Sequence, residues 1–149
     1  MMRIAFDSNI LAYLAGVDRV ADDGPKIVRA RAVLTDLSGR ATLVAPAQTL
    51  GELFVVLLRA GTTREGARDI VLKFRQTFGG ADTGDETLLS ALDLVVAHKL
   101  QLWDALILSA AADAGCEILL SEDMQPGFVW RGVTVVNPLA VPMMSWFSG

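Results

Sequence analysis

At 149 residues, 52% hydrophobic and 20% charged, the chain has a globular composition rather than a disordered one, and a single domain is expected over residues 1–149. Its net charge of −4 argues against a nucleic-acid binder with a broad basic face, unless the acids gather in one cleft and the bases stand elsewhere. The one cysteine, Cys116, excludes an intramolecular disulfide and a Cys-rich zinc site and is read as a small buried residue; no apolar stretch reaches the roughly 18–20 residues of a membrane span.

The opening residues carry no apolar leader with a cleavage site, so no signal peptide is predicted and a cytoplasmic location is expected. Residues 3–6 form a short apolar run ending at Asp7, which predicts a buried strand. Ser8-Asn9 then offers cap chemistry for a helix carrying Ile10, Leu11, Tyr13 and Leu14. Residues 18–25 are polar and punctuated by Gly and Pro, hence a loop. Ile27, Ala30, Val33, Leu34 and Leu37 recur at helical spacing, with Gly39 as the stop. A strand is predicted over 41–45, closed by Pro46. A largely buried helix follows over 48–60, then another over 63–78 with Gly79-Gly80 after it. The stretch 85–100 begins with acids and ends with His98-Lys99, matching a helix dipole. An Ala-rich helix spans 102–114. Strands are expected at 117–120 and 132–136. Short apolar strands separated by helices predict an α/β fold, with a central parallel sheet of about four to five strands and helices on both faces.

In open α/β sheets, ligands bind beyond the carboxyl ends of the strands, where the strand order reverses. Asp7 directly follows the first strand, and Ser121-Glu122-Asp123 follow the third. Glu52 lies inside the helix after the second strand, among Leu50, Leu53, Phe54, Val55 and Val56, where a charge needs a partner. Asp104 opens the helix before the third strand. The connectivity lets all four acids reach one rim. Taken singly, Asp7 and Asp104 also read as helix-start acids, and 121–123 as a polar loop. Two carboxylates about 5 Å apart repel by roughly 3 kcal/mol at an effective dielectric near 20, so such a cluster requires neutralisation. An all-oxygen donor set selects a hard cation, Mg²⁺ or alternatively Mn²⁺. Such an ion supplies a water nucleophile and stabilises charge on a phosphoryl oxygen, which points to phosphodiester hydrolysis.

At these residues the chain resembles the PIN-domain ribonucleases, and within them the VapC-like toxins of toxin–antitoxin pairs. The matching stretches are Phe6-Asp7-Ser8-Asn9-Ile10-Leu11, Gly51-Glu52-Leu53, Leu102-Trp103-Asp104-Ala105-Leu106-Ile107, Leu120-Ser121-Glu122-Asp123-Met124 and the terminal Val133-Thr134-Val135-Val136-Asn137-Pro138. They run in the family's order over nearly the whole chain. The resemblance implies a PIN-like three-layer sandwich and a magnesium-dependent endoribonuclease acting on RNA. It implies Asp7 and Asp104 as metal ligands, Asp123 as a third, often through water, and Glu52 as a ligand or the group orienting a water. Ser8, Asn9 and Ser121 would hold these acids in place. Asp123 is chosen over Glu122 because it falls two residues after Ser121. The implied partners are an RNA substrate, an antitoxin protein and a second copy of the chain.

Arg59, Arg64, Arg68, Lys73 and Arg75 read either as a solvated face or as phosphate contacts beside the cleft, with Arg59, Arg64 and Arg68 the candidate RNA contacts. Trp103 is read as core rather than as a base-stacking platform, and His98 as a helix C-terminal charge. The apolar tail (Val141, Met143, Met144, Trp146, Phe147) packs on its own domain or meets a partner. Two other functions compete. A magnesium phosphatase or phosphoacceptor usually has an acid two residues after the first, where this chain has Asn9, and a lysine after a strand, which it lacks. A non-catalytic binding module requires that the four acids do not meet.

Overall fold

The structure, a computed structural model, describes residues 1–140, 142 and 146. In chain order the elements are β1 (Met2–Phe6), α1 (Ser8–Leu14), α2 (Gly24–Leu37), β2 (Ala41–Pro46), α3 (Ala47–Arg59), α4 (Arg64–Thr77), β3 (Gly79–Ala81), α5 (Asp85–His98), α6 (Leu102–Asp113), β4 (Ile118–Leu120), β5 (Val129–Trp130) and β6 (Val133–Val136). The sheet order is β3-β2-β1-β4-β6-β5, parallel except for the β5–β6 pair. This is the expected α/β sandwich with helices on both faces.

Side-chain alternation on the central strands explains the layering. Ile4 and Phe6 point into one core with Leu11, Tyr13, Leu37, Leu53 and Leu57, under α1 to α4. Ala5, between them, points into the other with Leu94, Ile107 and Leu108, under α5 and α6. Both faces of β1 are sealed over residues 4–6, which is why these are all apolar rather than alternating. Each fully buried Leu, Ile or Phe stabilises the fold by roughly 2 kcal/mol. Phe6 stands edge-on to Phe78, with centroids 5.0 Å apart, and joins the strand to the end of α4. Cys116 is buried, and burial pushes its thiol up to about 11.

The sheet has six strands against the four to five expected. Gly79-Gly80, read as a helix stop, also begins β3, pairing with Val44 and Ala45. A Cβ at Gly79 would lie 3.3 Å from the Leu43 carbonyl oxygen, and one at Gly80 would overlap the Arg75 guanidinium. Tertiary approach, not strand propensity, places glycine there. β5 is half of a tight hairpin, turned by Arg131 (φ 48°) and Gly132 (φ 82°), both left-handed.

Trp103 is not core: it is 56% exposed. It sits in the first turn of α6, beside Asp104 on the rim and before the buried run 105–111, so it projects outward. His98 does stand in the last turn of α5, but its ring packs edge-on against Phe128 (5.1 Å) and Trp130 (5.9 Å). Of the apolar tail, Trp146 packs against the α1–α4 core; Val141, Met143, Met144 and Phe147 lie outside the described residues.

Candidate active site

β1 and β4 are neighbours in register, Phe6 opposite Leu120. The chain therefore leaves the sheet at Asp7 and at Ser121 side by side, and the Asp7 N–H donates to the Leu120 carbonyl at 2.9 Å. Here the strand order reverses, with β2 on one side of β1 and β4 on the other. Asp7 caps α1, its Oδ1 accepting from the Ser8 N–H at 2.7 Å. Its Oδ2 accepts from the Ser121 hydroxyl at 2.7 Å and from Asn9 Nδ2 at 3.3 Å. Ser121 Oγ in turn accepts from the N–H groups of Asp123 (3.3 Å) and Met124 (3.2 Å), and Asn9 Oδ1 from the Glu122 N–H (3.2 Å). One buried hydroxyl and one buried amide thus tie the end of β1 to the loop after β4. The capping reading of Asp7 and its place in the acid cluster hold together.

Glu52 faces this point from the second turn of α3. Ser8 Oγ donates to its Oε2 at 2.7 Å and Gln48 Nε2 to its Oε1 at 3.2 Å. These are the partners its apolar surroundings required. Asp104 is half-buried in the first turn of α6, and among the described residues no hydrogen-bond donor pairs with its carboxylate. Burial raises the Asp7 pKa to about 6, opposed by the Ser121 and Ser8 hydrogen bonds and reinforced by the charges of Glu52 and Asp104. Burial also raises Asp104, helped by the charges of Glu52 and Asp123. Asp7 thus feels Glu52 and Asp104, and Asp104 feels Glu52 and Asp123.

The two acids after β4 have different surroundings. Glu122 accepts from the Tyr13 hydroxyl (2.9 Å) and pairs with Arg19 Nη1 (3.0 Å) and Lys26 Nζ (3.1 Å). Asp123 is more exposed, acts on Asp104, and among the described residues is gripped by Arg19 alone, Nη2 on Oδ2 at 2.8 Å and Nη1 on Oδ1 at 3.3 Å. Sequence reasoning missed Arg19, Tyr13 and Lys26. Tyr13 counted as one more apolar position of a helix, and the composition of the polar loop around Arg19 says nothing of where its side chain folds.

Beside Glu52 opens a cleft of about 890 Å³, lined among others by Ser8, Gln48, Val55, Arg59 and Asp82. Arg59 therefore shares this cleft with Glu52, while Asp7, Asp104 and Asp123 do not line it. Arg64 and Arg68 lie exposed on α4 and do not line this cleft, Arg68 pairing with Asp69 at 3.2 Å. Arg75 donates to the Phe78 carbonyl at 3.2 Å and covers Gly80. Among the described residues no group of three or more His, Cys, Asp or Glu side chains is placed to hold a metal ion. Magnesium, unlike calcium or zinc, commonly takes only one or two carboxylates and completes its shell with water and phosphate. An open, all-oxygen set of mutually repelling acids fits such an ion.

The PIN domain family model matches residues 4–126, a span holding all four acids. No match is found among curated proteins. Among solved structures the chain is similar to VapBC2 from Rickettsia felis bound to a promoter DNA fragment, at TM-score 0.65 and 15% identity over 90% of this chain and 97% of that one. It is similar to a toxin–antitoxin complex from Klebsiella pneumoniae, at TM-score 0.64 and 22% identity over 91% and 97%. It is similar also to VapC20 of Mycobacterium tuberculosis, a sarcin-ricin loop cleaving toxin, at TM-score 0.62 and 17% identity over 80% and 89%. At these identities the structures speak for the fold, and the family rests on the sequence match with its acids at the carboxyl ends of β1 and β4: this chain belongs to the PIN domain family.

Proposed function

We propose that the chain is a divalent-metal-dependent endoribonuclease, the toxin of a toxin–antitoxin pair, with Asp7, Glu52, Asp104 and Asp123 as its acids. The observation that carries this reading is the bridging at one rim: Ser121 joins Asp7 to the Asp123 backbone, Ser8 joins Asp7 to Glu52, and the charges of Glu52 and Asp123 act on the half-buried Asp104. Asp7 and Asp104 would hold a Mg²⁺ or Mn²⁺ ion, with Asp123 and Glu52 completing the acidic wall. Such an ion supplies Lewis acidity toward a phosphodiester and a water of lowered pKa.

The chain's own residues set the stage for that chemistry. Ser121 and the Ser8 N–H hold Asp7 in the carboxylate form against its burial, and Ser8 and Gln48 fix both oxygens of Glu52. Glu52 is thereby placed to orient an attacking water and accept its proton. Arg59, on the wall of the adjoining cleft, supplies a cation for a neighbouring phosphate of the strand. The single-stranded or looped RNA that the reading requires would enter along this cleft. The phosphoacceptor alternative is weakened by Asn9, whose amide is engaged with Asp7 and the Glu122 backbone.

A second copy of the chain would pair through α5. Leu89 and Val96 are 61% and 84% exposed on it, with Leu88 and Leu92 also exposed. Asp85 and Glu86 at its start and His98 at its end would meet in opposite order across a two-fold axis. Sedimentation of purified chain at monomer mass over the micromolar range would remove this pairing. The antitoxin partner and a cytoplasmic setting belong to the same proposal.

The decisive experiment incubates purified chain with RNA, with and without Mg²⁺. Asp104→Asn is expected to lower cleavage by about a thousandfold or more with the fold intact; undiminished cleavage by this variant, or metal-independent cleavage by the parent, would sink the assignment.

A further inference from the structure

Arg19 belongs to the loop between α1 and α2, and that loop is built around one carboxylate. Asp23 Oδ2 accepts the N–H groups of Arg19 (2.7 Å) and Val20 (2.8 Å), and Asp22 turns left-handed at φ 67°. The main chain of Arg19 is thus held independently of its side chain. The side chain reaches across the rim and takes Asp123 with both Nη atoms, at 2.8 and 3.3 Å. Glu122 does not depend on it, since Tyr13 and Lys26 secure that acid separately. Asp123 has Arg19 as its single cationic partner among the described residues, and its charge acts on Asp104. The guanidinium therefore stands at the outer edge of the acidic rim with 32% of its side chain in solvent.

We propose that Arg19 exchanges partners during the reaction: it neutralises Asp123 in the free chain, and turns to a backbone phosphate of the RNA when a divalent cation is bound beside Asp123. The inference rests on the ribonuclease reading above. A guanidinium fork matches phosphate as well as carboxylate, with the same two-pronged geometry. An ion pair at this exposure is weak enough to be traded for another. The Tyr13 and Lys26 contacts keep the loop after β4 in place when Arg19 leaves. Arg19 would then serve both to hold off the repulsion among the acids before cation uptake and to draw the substrate strand onto the rim afterwards.

The test uses the full chain with Arg19→Gln and Arg19→Lys, both of which keep the Asp23 turn. Mn²⁺ titrated calorimetrically without RNA is expected to bind Arg19→Gln about fivefold more tightly than the parent, because a competing positive charge is gone. With single-stranded RNA and saturating Mn²⁺, the same variant should raise KM about tenfold with kcat nearly unchanged. The slope of log KM against log salt should fall by about 0.7, the signature of one lost phosphate contact. Arg19→Lys should fall between the two chains, keeping the charge without the fork. Equal or weaker Mn²⁺ binding by Arg19→Gln, or an unchanged KM, makes Arg19 a structural brace and overturns the exchange alone. A parent chain that takes up no Mn²⁺ overturns the ribonuclease reading, and the exchange with it.

Discussion

The inner and outer halves of the acidic rim are built on different principles. At the inner half, Asp7 is almost fully buried and held by neutral donors: a hydroxyl, a backbone amide and a side-chain amide. At the outer half, Glu122 and Asp123 are held by cations at partial exposure. Neutral donors in a buried site fix a carboxylate's position while leaving its charge largely uncompensated; solvated cations compensate the charge and fix position only loosely. The inner half is therefore electrostatically tense and geometrically rigid, and the outer half the reverse.

The largest expected effect tests the tension. Burial raises Asp7 to about 6 from an ordinary 3.8, so between those pH values the folded chain holds a proton that the unfolded chain has released. Stability must then fall as pH rises through that window, by about 3 kcal/mol in total, and stay low above it. Asp7→Asn should abolish cleavage and flatten the slope between pH 4 and 6 in EDTA, with its net stability also bearing the loss of one acceptor oxygen. Urea melts at pH 5 and pH 7 check it; a variant as steeply pH-dependent as the parent would mean that Asp7 is not tense. Next comes the rigidity. Ser121→Ala removes the donor to Asp7 and the acceptor for two backbone N–H groups, and should cost about 2–3 kcal/mol. A cost indistinguishable from zero in urea denaturation would refute the hub. The smallest effect belongs to the outer half: Glu122→Gln, keeping shape and losing charge, should cost about 1 kcal/mol or less and should shrink further in high salt. A salt-insensitive loss of several kcal/mol would erase the contrast between the halves.

Much of this arrangement is legible in the residues. The apolar run 3–6 announces a strand with both faces covered, and Asp7 must then emerge at its carboxyl end. Glu52 among leucines and valines announces a carboxylate with dedicated donors, which Ser8 and Gln48 turn out to be. What stays hidden is set by packing at long range. β3 is two glycines and an alanine, a strand only because β2 and Arg75 close in on it. Trp103 has the composition of core and the position of rim, since it precedes the buried run 105–111 in the first turn of α6 and stands 56% exposed. Arg19 sits in a loop without periodicity, and its reach to Asp123 spans 104 positions in sequence.

The parallel pairing of β1 with β4, Ile4 opposite Ile118, has a consequence for the chain as it is synthesised. Until residues 118–123 leave the ribosome, β1 has β2 beside it on one edge and nothing on the other. Asp7 then lacks Ser121, the Leu120 carbonyl is missing, and the rim has no outer wall. A nascent chain paused between residues 104 and 118 carries three of the four acids but not the strand that closes the rim around them. The long-range closure that slows folding of such a sheet therefore also postpones assembly of the four-acid rim until this segment has been translated.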